Sequence, residues 1–110
     1  MKKFQDAFSG LRTAFAHKAV RIQFVLAVFA VIGGLIISLD FYEWLAFIIC
    51  IFLVLFAEVM NTAVERLCDY CKDSYDEKIG MIKDLSSAAV LLSAIGAFAV
   101  CLFCVFRRLL

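Results

Sequence analysis

The chain has 110 residues, 65% hydrophobic and 19% charged, with a formal net charge of +1 and a mean hydropathy of +1.00. That length holds at most one domain, and that hydropathy excludes an ordinary soluble or disordered protein and requires an integral membrane protein. A near-neutral charge without a nucleic-acid motif argues against a nucleic-acid binder, and the absence of proline leaves no helix marked for a proline kink.

The first 21 residues predict an amphipathic surface helix. Phe4, Phe8, Leu11 and Phe15 recur at helical spacing, with Lys2, Lys3, Arg12 and Lys18 placing positive charge around them, as in a helix lying in the membrane interface. A disordered basic tail leaves the aromatic stripe unexplained. A cleavable signal peptide is disfavoured because the apolar run begins late and no small-x-small site follows a short one.

Three apolar runs follow: 18 uncharged residues from Ile22 to Leu39, 14 from Trp44 to Ala57 and 22 from Leu85 to Phe106. A span needs about 20 residues, so the second run crosses only by continuing into the polar stretch beyond it. The alternative for that run, a soluble core helix, sits poorly between two spans. The expected architecture is therefore all-α and integral to the membrane. One domain covers 1–110, with a surface helix at 1–21 and transmembrane helices at 22–39, 44–65 and 85–106.

Lysine and arginine set the expected orientation. Lys2, Lys3, Arg12, Lys18 and Arg21 precede the first span, and Arg66, Lys72, Lys78 and Lys83 lie between the second and third. Asp40 to Glu43 contains no lysine or arginine, and Arg107 and Arg108 end the chain. By the positive-inside rule the amino terminus and a 66–83 loop face the cytoplasm, in a multi-pass protein of the cell membrane. The terminal arginines count against this but are outnumbered.

The second span ends in Ala57-Glu-Val-Met-Asn-Thr-Ala-Val-Glu-Arg-Leu-Cys-Asp69. Glu58, Asn61, Glu65 and Asp69, spaced by three, four and four residues, share one helical face with Thr62. A carboxylate at a membrane helix centre costs about 2.5–3.5 kcal/mol, so this stripe marks a functional site by default. Lys83 and Asp84 open the next helix across a polar loop containing Tyr75. Carboxylates and an amide can hold a hard divalent ion, and a lysine can neutralise phosphate. A spare carboxylate that accepts a proton from an attacking hydroxyl completes a phosphoryl-transfer site. Two plainer readings stay open: Lys83 and Asp84 as an ordinary helix-start pair, and Arg66 as a partner for Glu65 or Asp69. A proton or ion conduit is a further alternative.

Cys68-x-x-Cys71 and Cys101-x-x-Cys104 have the spacing of paired zinc half-sites. The second pair lies deep in the third span toward the far side, while the first is at the cytoplasmic edge, so one monomer cannot join them. Cys50, Cys101 and Cys104 read as small apolar packing residues, and Cys68 and Cys71 as reduced thiols.

The pattern E-x-x-N-[ST]-A-x-E-x-x-x-D over 58–69, followed by K-D-x-x-[AS]-A-A-V over 83–90, resembles the signature of the small prokaryotic membrane lipid kinases, the diacylglycerol kinase and undecaprenol kinase family. The similarity extends to Phe4-x-x-Ala7-Phe8-x-Gly10-Leu11 and to Glu43-Trp44. The resemblance implies an ATP-dependent kinase in which Glu58 is the general base and Glu65 holds Mg2+. It places Asn61, Asp69, Lys83 and Asp84 among the polar active-site positions, with Ser74, Tyr75 and Asp76 on a loop that touches the nucleotide. It also implies a homotrimer whose sites are shared between protomers. No soluble-kinase phosphate loop or H-R-D and D-F-G pair occurs in the chain.

One departure stands out. The family places a second metal-binding glutamate near the start of the first span, but no acid occurs between Asp6 and Asp40, and His17 or Lys18 falls at that position. His17 as a ligand, a carboxylate such as Asp6 or one from a neighbouring protomer, and a weak or inactive enzyme acting as a scaffold are the three explanations. The short amino-terminal lead, Glu43-Trp44 and the Asn-Thr-Ala core resemble the Gram-positive-type branch, which implies undecaprenol as the acceptor. Diacylglycerol is the alternative.

Overall fold

The computed structural model describes residues 2–71 and 76–110, so Ser74 and Tyr75 lie outside the described residues. Four helices follow in order: α1 (Lys2–Phe15), α2 (Lys18–Ile37), α3 (Phe41–Cys71) and α4 (Glu77–Leu109), with no strand among the described residues. The last three are long and apolar enough to cross a membrane. Few of their residues are buried inside the protein, and in α4 none is. Side chains such as Phe52, Phe98 and Phe103 are mostly exposed, an arrangement stable only where lipid replaces water.

The helices overrun the apolar runs. At about 1.5 Å per residue the 31 residues of α3 and the 33 of α4 exceed a hydrocarbon core of about 30 Å. Most of the 66–83 stretch expected as a loop is helix: α3 continues to Cys71 and α4 starts at Glu77. The physical reason is that polar residues leave a helix intact, and neither glycine nor proline interrupts 57–71. Asp76 caps α4, its carboxylate accepting hydrogen bonds from the backbone N–H of Lys78 (2.9 Å) and Ile79 (3.4 Å).

The α3–α4 contact is the most extensive in the chain. The partly or fully buried residues Glu43, Phe47, Cys50, Val54, Ala57 and Asn61 recur every three or four positions on α3, as do Ser86, Val90, Ser93, Ala97, Val100 and Cys104 on α4. This alternation keeps the two helices in register, and the small residues on α4 let the backbones approach. Helix α2 packs on α3 through a second small-residue face, Val20, Gln23, Ala27, Ala30 and Gly34. At Gly34 the approach is so close that a Cβ atom would fall 2.9 Å from both the Leu39 side chain and the Trp44 ring. Helix α1 lies against α2, with Phe15 edge-on to Phe24 at 5.1 Å, and exposes Phe4 and Phe8.

The 38–40 turn is fastened by charge. Ser38 takes the left-handed conformation at φ 65°, and Asp40 and Glu43 form a reciprocal capping box: the Asp40 N–H donates to Glu43 Oε1 (3.0 Å) and the Glu43 N–H to Asp40 Oδ1 (2.9 Å). Arg108 of α4 donates to Glu43 Oε1 (2.6 Å) and to the Ser38 carbonyl (3.0 Å), while Arg107 pairs with Asp40 at 3.0 Å. The two terminal arginines thus meet two carboxylates, and this end of the bundle carries little net charge. The Asp-x-x-Glu spacing at 40–43 was the sequence signal for this box.

Candidate functional site

The site is assembled on the last four turns of α3. Glu58 lies about 26 Å along the helix axis from Phe41 at about 1.5 Å per residue, within the length of a hydrocarbon core of about 30 Å counted from the start of α3. Glu65 and Asp69 lie beyond that length. Burial follows the same gradient: Glu58 retains 6% of its surface and Thr62 8%, whereas Glu65 and Asp69 are exposed. The Thr62 hydroxyl donates to the Glu58 backbone carbonyl at 3.0 Å. This satisfies the hydroxyl within the helix and leaves the Glu58 carboxylate with no hydrogen bond or ion pair among the described residues.

Asn61 and Glu65 form the next layer. Asn61 Nδ2 donates to Glu65 Oε1 at 3.1 Å, while Asn61 Oδ1 is buried without a hydrogen-bond partner among the described residues. An orphaned amide oxygen is a costly vacancy for a second donor or a cation. With the Glu65 carboxylate beside it, it provides hard oxygen ligands of the kind that suit Mg2+, which keeps several waters and takes one or two carboxylates plus substrate phosphates. Among the described residues of one chain, no three His, Cys, Asp or Glu side chains gather closely enough to hold a metal. His17 is the N-cap residue of α2 and makes no side-chain cap hydrogen bond.

At the outer edge Lys83 Nζ reaches from α4 to Asp69 Oδ1 at 2.6 Å. Lys83 is therefore more than a helix-start charge beside Asp84; it ties α4 to α3, and it is Asp69's partner in place of Arg66. Asp84 is exposed next to it. The cysteines are all free thiols. Cys68 is buried at the site end, and Cys50 and Cys101 line a half-open cavity of about 150 Å3 between α2, α3 and α4, with Gln23 of α2 on its wall. The structure brings Glu58, Asn61 and Glu65 together and adds Asp69 and Lys83 as a pair across the two helices. Thr62, noted in the sequence only for its face, locks the Glu58 turn.

The arrangement defines a three-span helical membrane protein with its polar groups collected at one bilayer interface. Residues 5–105 match the family model described as prokaryotic diacylglycerol kinase. The chain is 33% identical over 92 residues to a diacylglycerol kinase of Escherichia coli K12, covering 83% of this chain and 75% of that protein. It is 30% identical over 87 residues to a diacylglycerol kinase of Helicobacter pylori J99, covering 78% and 68%. The chain belongs to the prokaryotic diacylglycerol kinase family and is a membrane lipid kinase.

Proposed function

We propose that the protein transfers the γ-phosphoryl group of ATP to the primary hydroxyl of a membrane lipid alcohol, with Glu58 as general base. The observation that supports this most is the Glu58 carboxylate, buried and without a hydrogen bond or ion pair among the described residues. Glu58 accepts the hydroxyl proton as the oxygen bonds to the γ-phosphorus and the bond to the bridging oxygen of ADP breaks. Glu65, with the Asn61 carbonyl, holds Mg2+ on the nucleotide. The ion, when bound, neutralises charge on the phosphate oxygens. Lys83 lends positive charge to the phosphates, poised by Asp69, and Ser74, Tyr75, Asp76 and Asp84 flank the nucleotide. The site end faces the cytoplasm, where ATP is available, and the working unit is a homotrimer that completes each site with groups from a neighbouring protomer.

Two acceptors fit this chemistry. The names of the relatives support diacylglycerol. Support for undecaprenol came partly from Glu43-Trp44, yet Glu43 closes the capping box and Trp44 packs on Gly34, roles that any acceptor permits. Diacylglycerol is therefore the first candidate. The test is transfer of labelled γ-phosphate from MgATP to diacylglycerol and undecaprenol in parallel, with Glu58→Gln as control. Label mainly on undecaprenol would reverse the acceptor assignment, and no label on either would favour the scaffold reading.

A further inference from the structure

The last turn of α3 carries two side chains that the phosphoryl-transfer chemistry leaves unused. Cys68 and Cys71 stand there at positions i and i+3, with Asp69 between them, and α3 ends at Cys71. Both thiols are free, and they differ in access: Cys68 retains 4% of its surface, whereas Cys71 is exposed. Lys83, paired with Asp69 at 2.6 Å, is also within electrostatic reach of Cys68. An exposed thiol beside a sheltered one suits a two-step oxidation, in which the oxidant meets the outer sulfur and the inner sulfur resolves the product.

Helix geometry lets the two sulfurs join. Cα atoms at i and i+3 of an α-helix are about 5 Å apart, inside the range of about 4.4–6.8 Å that a disulfide takes. Their Cβ atoms, about 5–6 Å apart in a regular helix, must close to about 3.5–4.5 Å, so the turn has to tighten. In a helix interior that tightening breaks backbone hydrogen bonds on both sides. At the last turn the final carbonyls have no intrahelical partner, and the backbone can give way. Cys101 and Cys104 have the same spacing but lie inside α4, which continues to Leu109, and so lack this freedom.

We propose that Cys68 and Cys71 form a reversible redox switch, closed by hydrogen peroxide, that acts on the Asp69–Lys83 pair. The Cys71 thiolate attacks one peroxide oxygen, the O–O bond breaks, and a sulfenic acid and one water result. The Cys68 sulfur then displaces the sulfenic oxygen as a second water, and the S–S bond forms. The two thiols give up two electrons and two protons, and the peroxide is reduced to two waters. A strained and partly exposed disulfide of this kind is reopened by dithiol exchange. Asp69 lies inside the closed loop, so tightening swings its carboxylate away from Lys83 Nζ. The consequence rests on the reading of Lys83 given above: without Asp69 to poise it, Lys83 holds the nucleotide phosphates less well, and MgATP binds more weakly.

The test treats the full chain in mild detergent with hydrogen peroxide, alkylates the remaining thiols and digests with trypsin. Cleavage after Arg66 and Lys72 releases one peptide, 67–72, that holds both cysteines. Peroxide should leave that peptide lighter by two hydrogens and closed to alkylation, dithiothreitol should restore it, and Cys101 and Cys104 should stay open to alkylation throughout. Equilibrium binding of labelled MgATP should weaken by about threefold on oxidation, the size expected of one exposed ion pair. C71S, a change at an exposed residue outside the transfer chemistry, should bind MgATP as the reduced wild type does and ignore peroxide. A 67–72 peptide that stays open to alkylation would overturn the proposal, as would a disulfide to Cys50 or to a second chain. A closed disulfide without a change in MgATP binding would overturn the switch, and so would the same weakening in C71S. The peptide mass and the binding curve need no phosphoryl transfer, so failure of the acceptor or base assignment is read separately. Absence of MgATP binding in the reduced protein would overturn the nucleotide reading and the switch together.

Discussion

Replacing Glu58 by glutamine tests the centre of the mechanism with minimal change of shape. The side chain is 6% exposed and its carboxylate makes no hydrogen bond or ion pair among the described residues, so the amide occupies the same space and breaks neither. What it removes is the ability to accept a proton. Positioned general bases contribute about 10²–10⁴-fold, which corresponds to roughly 3–5.5 kcal/mol of barrier at about 1.36 kcal/mol per tenfold. Glu58→Gln should thus lower kcat by at least about a hundredfold, with little change in the KM for ATP, because the nucleotide is held further out by Glu65 and Lys83. Thermal stability in detergent should not fall, since a buried charge is removed and no ion pair is lost. The assay is transfer of labelled phosphate from MgATP to diacylglycerol beside a melting curve. A kcat within about threefold of wild type would refute the base assignment, and lost activity with a collapsed melting transition would refute the claim that the carboxylate is structurally idle.

Four further outcomes are expected. Glu65→Gln should raise the Mg2+ concentration needed for half-maximal activity, and an unshifted titration would remove Glu65 from metal binding. Lys83→Met should raise the KM for ATP more than it lowers kcat, whereas an unchanged KM would confine Lys83 to its pairing with Asp69. Gly34→Val should destabilise the bundle by about 1–3 kcal/mol in a denaturation series, because its Cβ would meet Leu39 and Trp44 at 2.9 Å; unchanged stability would refute the close packing of α2 on α3. The Glu43 backbone N–H, and secondarily the Arg107 guanidinium, hold the Asp40 carboxyl below its ordinary value of 3.8. A depressed folded-state value stabilises the protein above the unfolded one and is lost as the pH falls through the folded one. The stability gap between wild type and Asp40→Asn should accordingly be constant from neutrality to about pH 4 and close below it, and a gap that persists in stronger acid would refute the assignment.

The apolar runs and the surface pattern of Phe4, Phe8, Leu11 and Phe15 were sufficient to specify an all-helical membrane protein, because the bilayer demands about 20 apolar residues per span and internal satisfaction of every backbone group. The polar face of Glu58, Asn61, Glu65 and Asp69 was equally legible, since 3.6-residue periodicity alone places these residues together. Only the tertiary structure decided how these groups differ. Glu58 is buried and Glu65 exposed although they share a face, and Asp69 finds Lys83 because α4 starts beside it. Helices extend past their apolar runs because hydropathy measures lipid contact, whereas backbone hydrogen bonding continues through polar residues. Arg107 and Arg108, read along the chain as charges opposing the orientation, became partners of Asp40 and Glu43 once antiparallel packing closed about seventy residues of separation. One-dimensional spacing reports which residues share a face of one helix; pairing across helices depends on the register of two faces, which exists only after they pack.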